Sequence, residues 1–162
     1  VDHAGEYGAV QIYRGQLAVL GHTASGETIR HMEEQEREHL ATFDRLIAEN
    51  GVRPTALAPI WSLAGYALGA ATALMGEKAA MACTAAVEEV IDEHYASQAA
   101  ALEKDGDAQA DFKKTIEKFR ADEIQHRDTA LEHGAEQAPG YRVLSETIKA
   151  GCRLAIKLSE RF

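Results

Sequence analysis

Apolar residues recur at helical spacing through most of the chain, and caps and breakers divide it into five helical stretches and one unusual connection. The first stretch runs from about Asp2 to Gly21, with Ala9, Val10, Tyr13, Leu17 and Leu20 on one face. The second, about Ser25 to Asn50, ends at Asn50-Gly51, a common helix stop. The third spans about Glu77 to Leu102, a turn is expected at Lys104-Asp105-Gly106-Asp107, and the fourth covers about Ala108 to His133. Pro139-Gly140 separates it from a last amphipathic helix, about 141–161. The pattern predicts one all-α domain over 1–162, a four-helix bundle with a long crossover at about 51–76 and an additional C-terminal helix.

Two apolar stripes are interrupted by ionisable residues. The second stretch reads Ile29, Met32, Glu36, His39, Leu40, Phe43, Leu46, Ile47, and the fourth reads Phe112, Ile116, Phe119, Glu123, His126, Ala130. Each places a Glu and a His three apart where core residues belong. The first and third stretches each add one carboxylate on the core side, Glu6 and Glu88. The chain is thus two copies of one unit: a helix with an inward Glu, then a helix with an inward Glu-x-x-His. Glu6 and Glu36 lie 30 residues apart, Glu88 and Glu123 lie 35 apart, and antiparallel pairs would bring both sets to one level.

Four carboxylates and two imidazoles in a bundle core cost several kcal/mol each if unpaired. Two divalent cations would neutralise the carboxylates, and mixed oxygen and imidazole donors suit iron or manganese better than thiolate metals. A single Glu-x-x-His usually marks a solvated face; two on apolar stripes, each preceded by an inward Glu, fit the ferritin-like dinuclear site. The expected ligands are Glu6, Glu36, His39, Glu88, Glu123 and His126. Asp122, just before Glu123, is placed to accept the second N–H of a ligand His or to be an ordinary surface residue.

Composition narrows the partners. The chain has 162 residues, 46% apolar and 27% charged, with few prolines and a formal charge of −9. An acidic chain without a basic surface of the needed density argues against nucleic acid as a general partner. Cys83 and Cys152 lie singly in apolar stretches without zinc-site spacing, so free thiols are expected in preference to a disulfide. No signal or transit peptide pattern is present from Val1 onward, and the sequence does not start with Met.

The crossover is the anomaly: Pro54 to Gly76 is 23 residues without a charge, long enough on paper to span a bilayer. A full span would put the Glu-bearing helices on opposite sides, and the six ligands could not meet. The segment, with Trp61 and Tyr66, is therefore expected to contact lipid or protein from one side, or to be buried within the domain. In the last helix Lys149, Arg153, Lys157 and Arg161 form a basic stripe opposite Ile148, Cys152, Ala155 and Leu158. That stripe fits an anionic membrane surface, a nucleotide phosphate at Arg153, or a solvated face.

The stretches VDHAGEYGA (Val1 to Ala9), QEREHL (Gln35 to Leu40), ALGAATALMG (Ala67 to Gly76), MACTAAVEE (Met81 to Glu89) and the C-terminal GCRLAIKLSERF resemble the demethoxyubiquinone hydroxylases of ubiquinone biosynthesis. The resemblance covers nearly the whole chain, and the family's ligands fall on the six residues above. It implies a di-iron monooxygenase that uses O2 and two NADH-derived electrons to hydroxylate a demethoxyquinone ring, the penultimate step to ubiquinone. His94 and Tyr95 match a His-Tyr pair beside the metals, implying electron or proton delivery. The implied substrate is a polyprenyl quinone and the implied partner a lipid-binding accessory protein. The expected location is a membrane surface, the matrix side of the mitochondrial inner membrane or the cytoplasmic side of a bacterial one. Homo-oligomer formation is left open. The rival expectation is a ferroxidase-like or storage bundle, which needs no quinone and no lipid-facing segment.

Overall fold

The computed structural model describes residues 1–104 and 109–161. Its described residues are all-α: α1 (Asp2–Leu20), α2 (Ser25–Glu49), α3 (Ala58–Leu74), α4 (Glu77–Leu102), α5 (Ala110–Glu132) and α6 (Tyr141–Ser159), with a short 3-10 turn at Ala135–Gln137. The predicted Lys104–Asp107 turn and the start of the fourth helix at Ala108 fall on positions outside the described residues, Lys104 excepted.

Ion pairs and hydrogen bonds give the register. His3 meets Asp44 and Arg14 meets Glu33, so α2 runs back along α1. Asp92 meets Arg120 and Glu103 meets Lys113, so α5 returns along α4 in the same way. Tyr13 bonds Glu88 and Tyr95 bonds Glu6, which sets α1 and α4 antiparallel. These four helices form the bundle.

The crossover differs from the simple connection expected: most of it is a helix in its own right. Pro59 sits in the first turn of α3, where its missing N–H leaves no helical bond unmade. Gly76, at φ 115, then turns the chain into α4. On its inner side α3 packs backbone to backbone against α1: Gly65 approaches the Gly8 carbonyl, Gly69 the Ile12 carbonyl, and Gly15 the Tyr66 carbonyl. Gly8 pairs with Gly65 and, one turn on, Ile12 pairs with Gly69, so α3 is parallel to α1. α6 lies parallel to α4, with Lys149 on Glu89 and Arg153 on Glu93, and its end reaches α3 through the Trp61–Ser159 hydrogen bond. The molecule is therefore two three-helix units, α1–α3 and α4–α6, related by an approximate twofold.

Every residue of α4 from Ala79 to Glu88 is buried, as suits a helix covered on all sides. One apolar cluster gathers Tyr13, Ile29, Met32, Met81 and Ala130; another gathers Phe43, Tyr95, Ile116 and Phe119. On α2 and α5 the Glu-x-x-His residues fall between these clusters, so both ends of the polar site are closed by packed side chains. The two cysteines are free thiols, and burial pushes Cys83 up to about 12 and Cys152 up to about 11.

No helix among the described residues is long and apolar enough to cross a membrane. The exposed large apolar side chains of α3 are Ile60, Leu63, Tyr66 and Leu74. Trp61 is half-buried and donates its indole N–H to Ser159 of α6 at 2.9 Å. The basic stripe is also partly consumed, since Lys149 is buried on Glu89 at 2.7 Å and Arg153 forks onto Glu93 at 3.0 and 3.1 Å.

The α1–α3 seam makes a testable demand on size. Gly69→Ala places a methyl group against the Ile12 backbone and should destabilise the fold by about 1–3 kcal/mol in denaturant unfolding. Gly5→Ala, whose Cβ meets nothing within 4 Å, should be neutral or slightly stabilising.

Candidate metal centre

Each ligand candidate is placed by the stripe that carries it. Glu6, Glu36, Glu88 and Glu123 are at most 1% exposed, and His39 and His126 at most 2%. They assemble as two overlapping donor groups: Glu6, Glu36, His39 and Glu123, then Glu36, Glu88, Glu123 and His126. In each, one donor atom per residue lies within 4.8 Å of the others. Glu36 and Glu123 belong to both groups, the arrangement required of carboxylates that bridge two ions.

The hydrogen bonds around these residues leave the inner atoms bare. Tyr95 donates to Oε1 of Glu6, and Tyr13 donates to Oε1 of Glu88 at 2.5 Å. Oε2 of each glutamate has no hydrogen-bond partner, nor has either carboxylate oxygen of Glu36 or Glu123. Nε2 of His39 pairs with Asp122 at 3.1 Å and Nε2 of His126 with Gln35 Oε1 at 3.0 Å. With the proton on Nε2, both Nδ1 atoms turn a lone pair inward. There they meet carboxylate oxygens, Glu123 at 3.1 Å from His39 and Glu36 at 3.0 Å from His126, without hydrogen-bond geometry. Bare lone pairs facing bare carboxylates in a dry core repel unless protons or cations lie between them. The residues fit a pair of cations: two terminal carboxylates with one free oxygen each, two fully free bridging carboxylates, and two oriented imidazoles.

Without a cation, protons take that role. Burial, then the charges of Glu123, Glu6 and Glu88, raise Glu36 well above the usual carboxylate range. Burial and Glu123 do the same to Glu88, and burial raises Glu123. Burial alone would depress His39, but Glu123 and Glu6 outweigh it and lift the imidazole to about 10. Burial lowers His126. Tyr13 and Tyr95 are also pushed up by burial, reinforced by Glu88 and Glu6 respectively, so both keep the proton they donate.

His94 stands at the edge of this centre, bonding Asp2 at 2.9 Å through Nε2, while Gln98 bonds the other Asp2 oxygen at 2.8 Å. Arg153 is remote from it, held on Glu93. Sequence reasoning found Asp122 but missed Tyr13 and Gln35. Both had a signal: Tyr13 follows Glu6 by seven positions as Tyr95 follows Glu88, and Gln35 precedes Glu36 as Asp122 precedes Glu123.

A cavity of about 440 Å³ leads in from between α1, α3, α4 and α6, walled largely by apolar side chains including Ile12, Leu68, Val90 and Ile148. Glu6, His94 and Tyr95 line it. Trp61 and Ser159 line it too, and their hydrogen bond ties α3 to α6.

Comparison with known proteins gives the relatives. Residues 1–159 match the family model described as ubiquinone biosynthesis protein COQ7. The chain is 57% identical over 162 residues to the 3-demethoxyubiquinol 3-hydroxylase of Rhodospirillum rubrum, covering 99% of this chain and 75% of the relative. It is 53% identical over 162 residues, with the same coverage, to the mitochondrial NADPH-dependent 3-demethoxyubiquinone 3-hydroxylase of Homo sapiens. The mitochondrial 5-demethoxyubiquinone hydroxylase of Saccharomyces cerevisiae is 41% identical over 175 residues, again 99% and 75% of the two chains.

Metal loading tests the geometry. Metal-stripped protein should bind two ferrous or manganous ions per chain. Glu36→Ala should lose both ions, because both donor groups share that residue, whereas Glu88→Ala should retain one. Because the raised carboxylates and His39 must give up protons to bind, affinity should increase as pH rises. Elemental analysis and titration at two pH values check this, and full retention of both ions by Glu36→Ala would refute the bridging assignment.

Proposed function

The chain belongs to the COQ7 family of ubiquinone biosynthesis proteins, and on that premise we propose that it hydroxylates the ring of a demethoxyubiquinone-type quinone with O2. In this reading Glu6, Glu36, His39, Glu88, Glu123 and His126 hold two iron ions, and a nicotinamide nucleotide supplies the electrons. The resemblance implied NADH, and several relatives are named NADPH-dependent; both are hydride donors of the same chemistry. One ring C–H becomes C–O–H, the second oxygen atom leaves as water, and two electrons with two protons balance the step.

The observation that carries the reading is the apolar tunnel reaching Glu6 and Tyr95. A storage or ferroxidase bundle needs a route for hydrated ions, which a largely apolar tunnel opposes. A quinone needs the reverse: an apolar wall for ring and tail, with a few polar groups at the inner end. When bound, the iron pair supplies the redox chemistry of oxygen.

The protein's own residues do the rest. The tunnel walls exclude water from the reacting ring. His94, fixed by Asp2, is a polar group along an otherwise mostly apolar path and is placed to meet a ring oxygen. Tyr95 donates its hydroxyl hydrogen to Glu6 Oε1, which would leave Oε2 as that carboxylate's free donor towards a metal. Arg153 shares its guanidinium with Glu93, so a nucleotide phosphate would have to compete with that carboxylate, and the proposal does not depend on it.

The exposed Ile60, Leu63 and Tyr66 of α3, beside the tunnel, favour attachment to a membrane surface or to a lipid-handling partner. The ring would then enter from the bilayer while the tail trails in lipid. Relatives named as mitochondrial include those of Homo sapiens and Saccharomyces cerevisiae; the membrane side remains part of the proposal.

Iron-loaded protein given a short-tailed demethoxyquinone, a nicotinamide donor and isotopically labelled oxygen should form product carrying one labelled atom, read by mass spectrometry. Unlabelled product, or none with both irons bound, would contradict the reading. Ile60→Glu with Leu63→Glu should abolish co-flotation with anionic liposomes while iron content stays constant; undiminished flotation would remove α3 from the membrane surface.

A further inference from the structure

The two halves of the centre are built alike, with one difference in the groups that hold the imidazoles. Glu6 is held by Tyr95 and Glu88 by Tyr13, so the terminal carboxylates have matching partners. His39 and His126 both turn Nε2 outward, but their partners differ: the carboxylate of Asp122 behind His39, the neutral amide oxygen of Gln35 behind His126. Both partners occupy the same position, immediately before the bridging glutamate of the facing helix. The tunnel breaks the symmetry in the same sense. Glu6 and Tyr95 line it, whereas Glu88 and Tyr13 border a separate small void.

A carboxylate that accepts the N–H of an imidazole draws the proton outward and makes the opposite nitrogen a stronger donor; an amide oxygen does so less. Building on the dinuclear reading, we propose that Asp122 and Gln35 act as positioning residues that make the two metal positions unequal. Asp122 makes the Glu6–His39 position, the one at the tunnel, the tighter-binding and more electron-rich of the two. The substrate then approaches the half whose iron is better stabilised in its higher oxidation state.

The test uses the intact chain loaded anaerobically with ferrous iron, read by Mössbauer spectroscopy and by equilibrium titration. Wild type should show two resolved ferrous environments of equal weight and two unequal affinities. Asp122→Asn keeps an acceptor oxygen but removes the charge. It should move one environment towards the other and weaken one binding event by about 10–100-fold, with two irons still bound at saturation. Gln35→Glu puts a carboxylate behind both imidazoles and should move the other environment instead, which tests the idea separately if Asp122→Asn does not fold. Two bound irons with both environments shifted equally, or neither shifted, in these variants would overturn the inference and leave the dinuclear reading standing. Failure of wild type to bind iron would overturn both.

Discussion

Four carboxylates and two imidazoles meet in the core with their inner lone pairs unpartnered, and the rest of the fold is arranged around that repulsion. The bundle can hold such a cluster only with cations or extra protons inside it. Four of the six donors are fixed from behind, which resists collapse of the ring, while Glu36 and Glu123 keep both oxygens free. Tyr13 and Tyr95 hold one oxygen of each terminal glutamate, and Asp122 and Gln35 hold the outward nitrogens. Apolar clusters above and below close the site to water. The result is a preorganised donor set whose free atoms all face one another.

Repetition explains how one chain achieves this economically. A Glu helix, a Glu-x-x-His helix and a third helix packed parallel to the first occur twice, and the twofold between them supplies both donor groups. Function enters where the repetition fails. The first copy's third helix is uncharged and apolar on its outer face, the second copy's carries the Lys and Arg stripe, and the tunnel lies between them, reaching only one half of the centre. Asp122 against Gln35 is the same kind of departure at the scale of one hydrogen bond.

Much of the site was legible in the sequence because charge on an apolar stripe is a loud signal. Glu36, His39, Glu123 and His126 break stripes that are otherwise regular, and Glu6 and Glu88 follow from the repeat. Tyr13 carried only the weaker signal of the repeat, seven positions after Glu6 as Tyr95 follows Glu88, because a tyrosine suits a core face whether or not it bonds Glu88. Gln35 lies just before Glu36, where its polar side chain also suits an ordinary surface. The helicity of residues 58–74 was obscured by uniform hydrophobicity, which erases the helical period. Trp61 was expected against lipid, another protein or the domain's own interior; its hydrogen bond to Ser159 depends on the α3–α6 approach, a tertiary relation no local pattern carries. Likewise Lys149 and Arg153 read as a free basic stripe until Glu89 and Glu93 of α4 came against them.

The central claim is that two metal ions share Glu36 and Glu123 at the inner end of the tunnel. A crystal structure of the iron-loaded chain with anomalous scattering at the iron edge addresses it most directly. Two anomalous peaks bridged by those two glutamates, one also bound by Glu6 and His39 and the other by Glu88 and His126, is the expected result. A single peak, or iron bound away from these six residues, would contradict it.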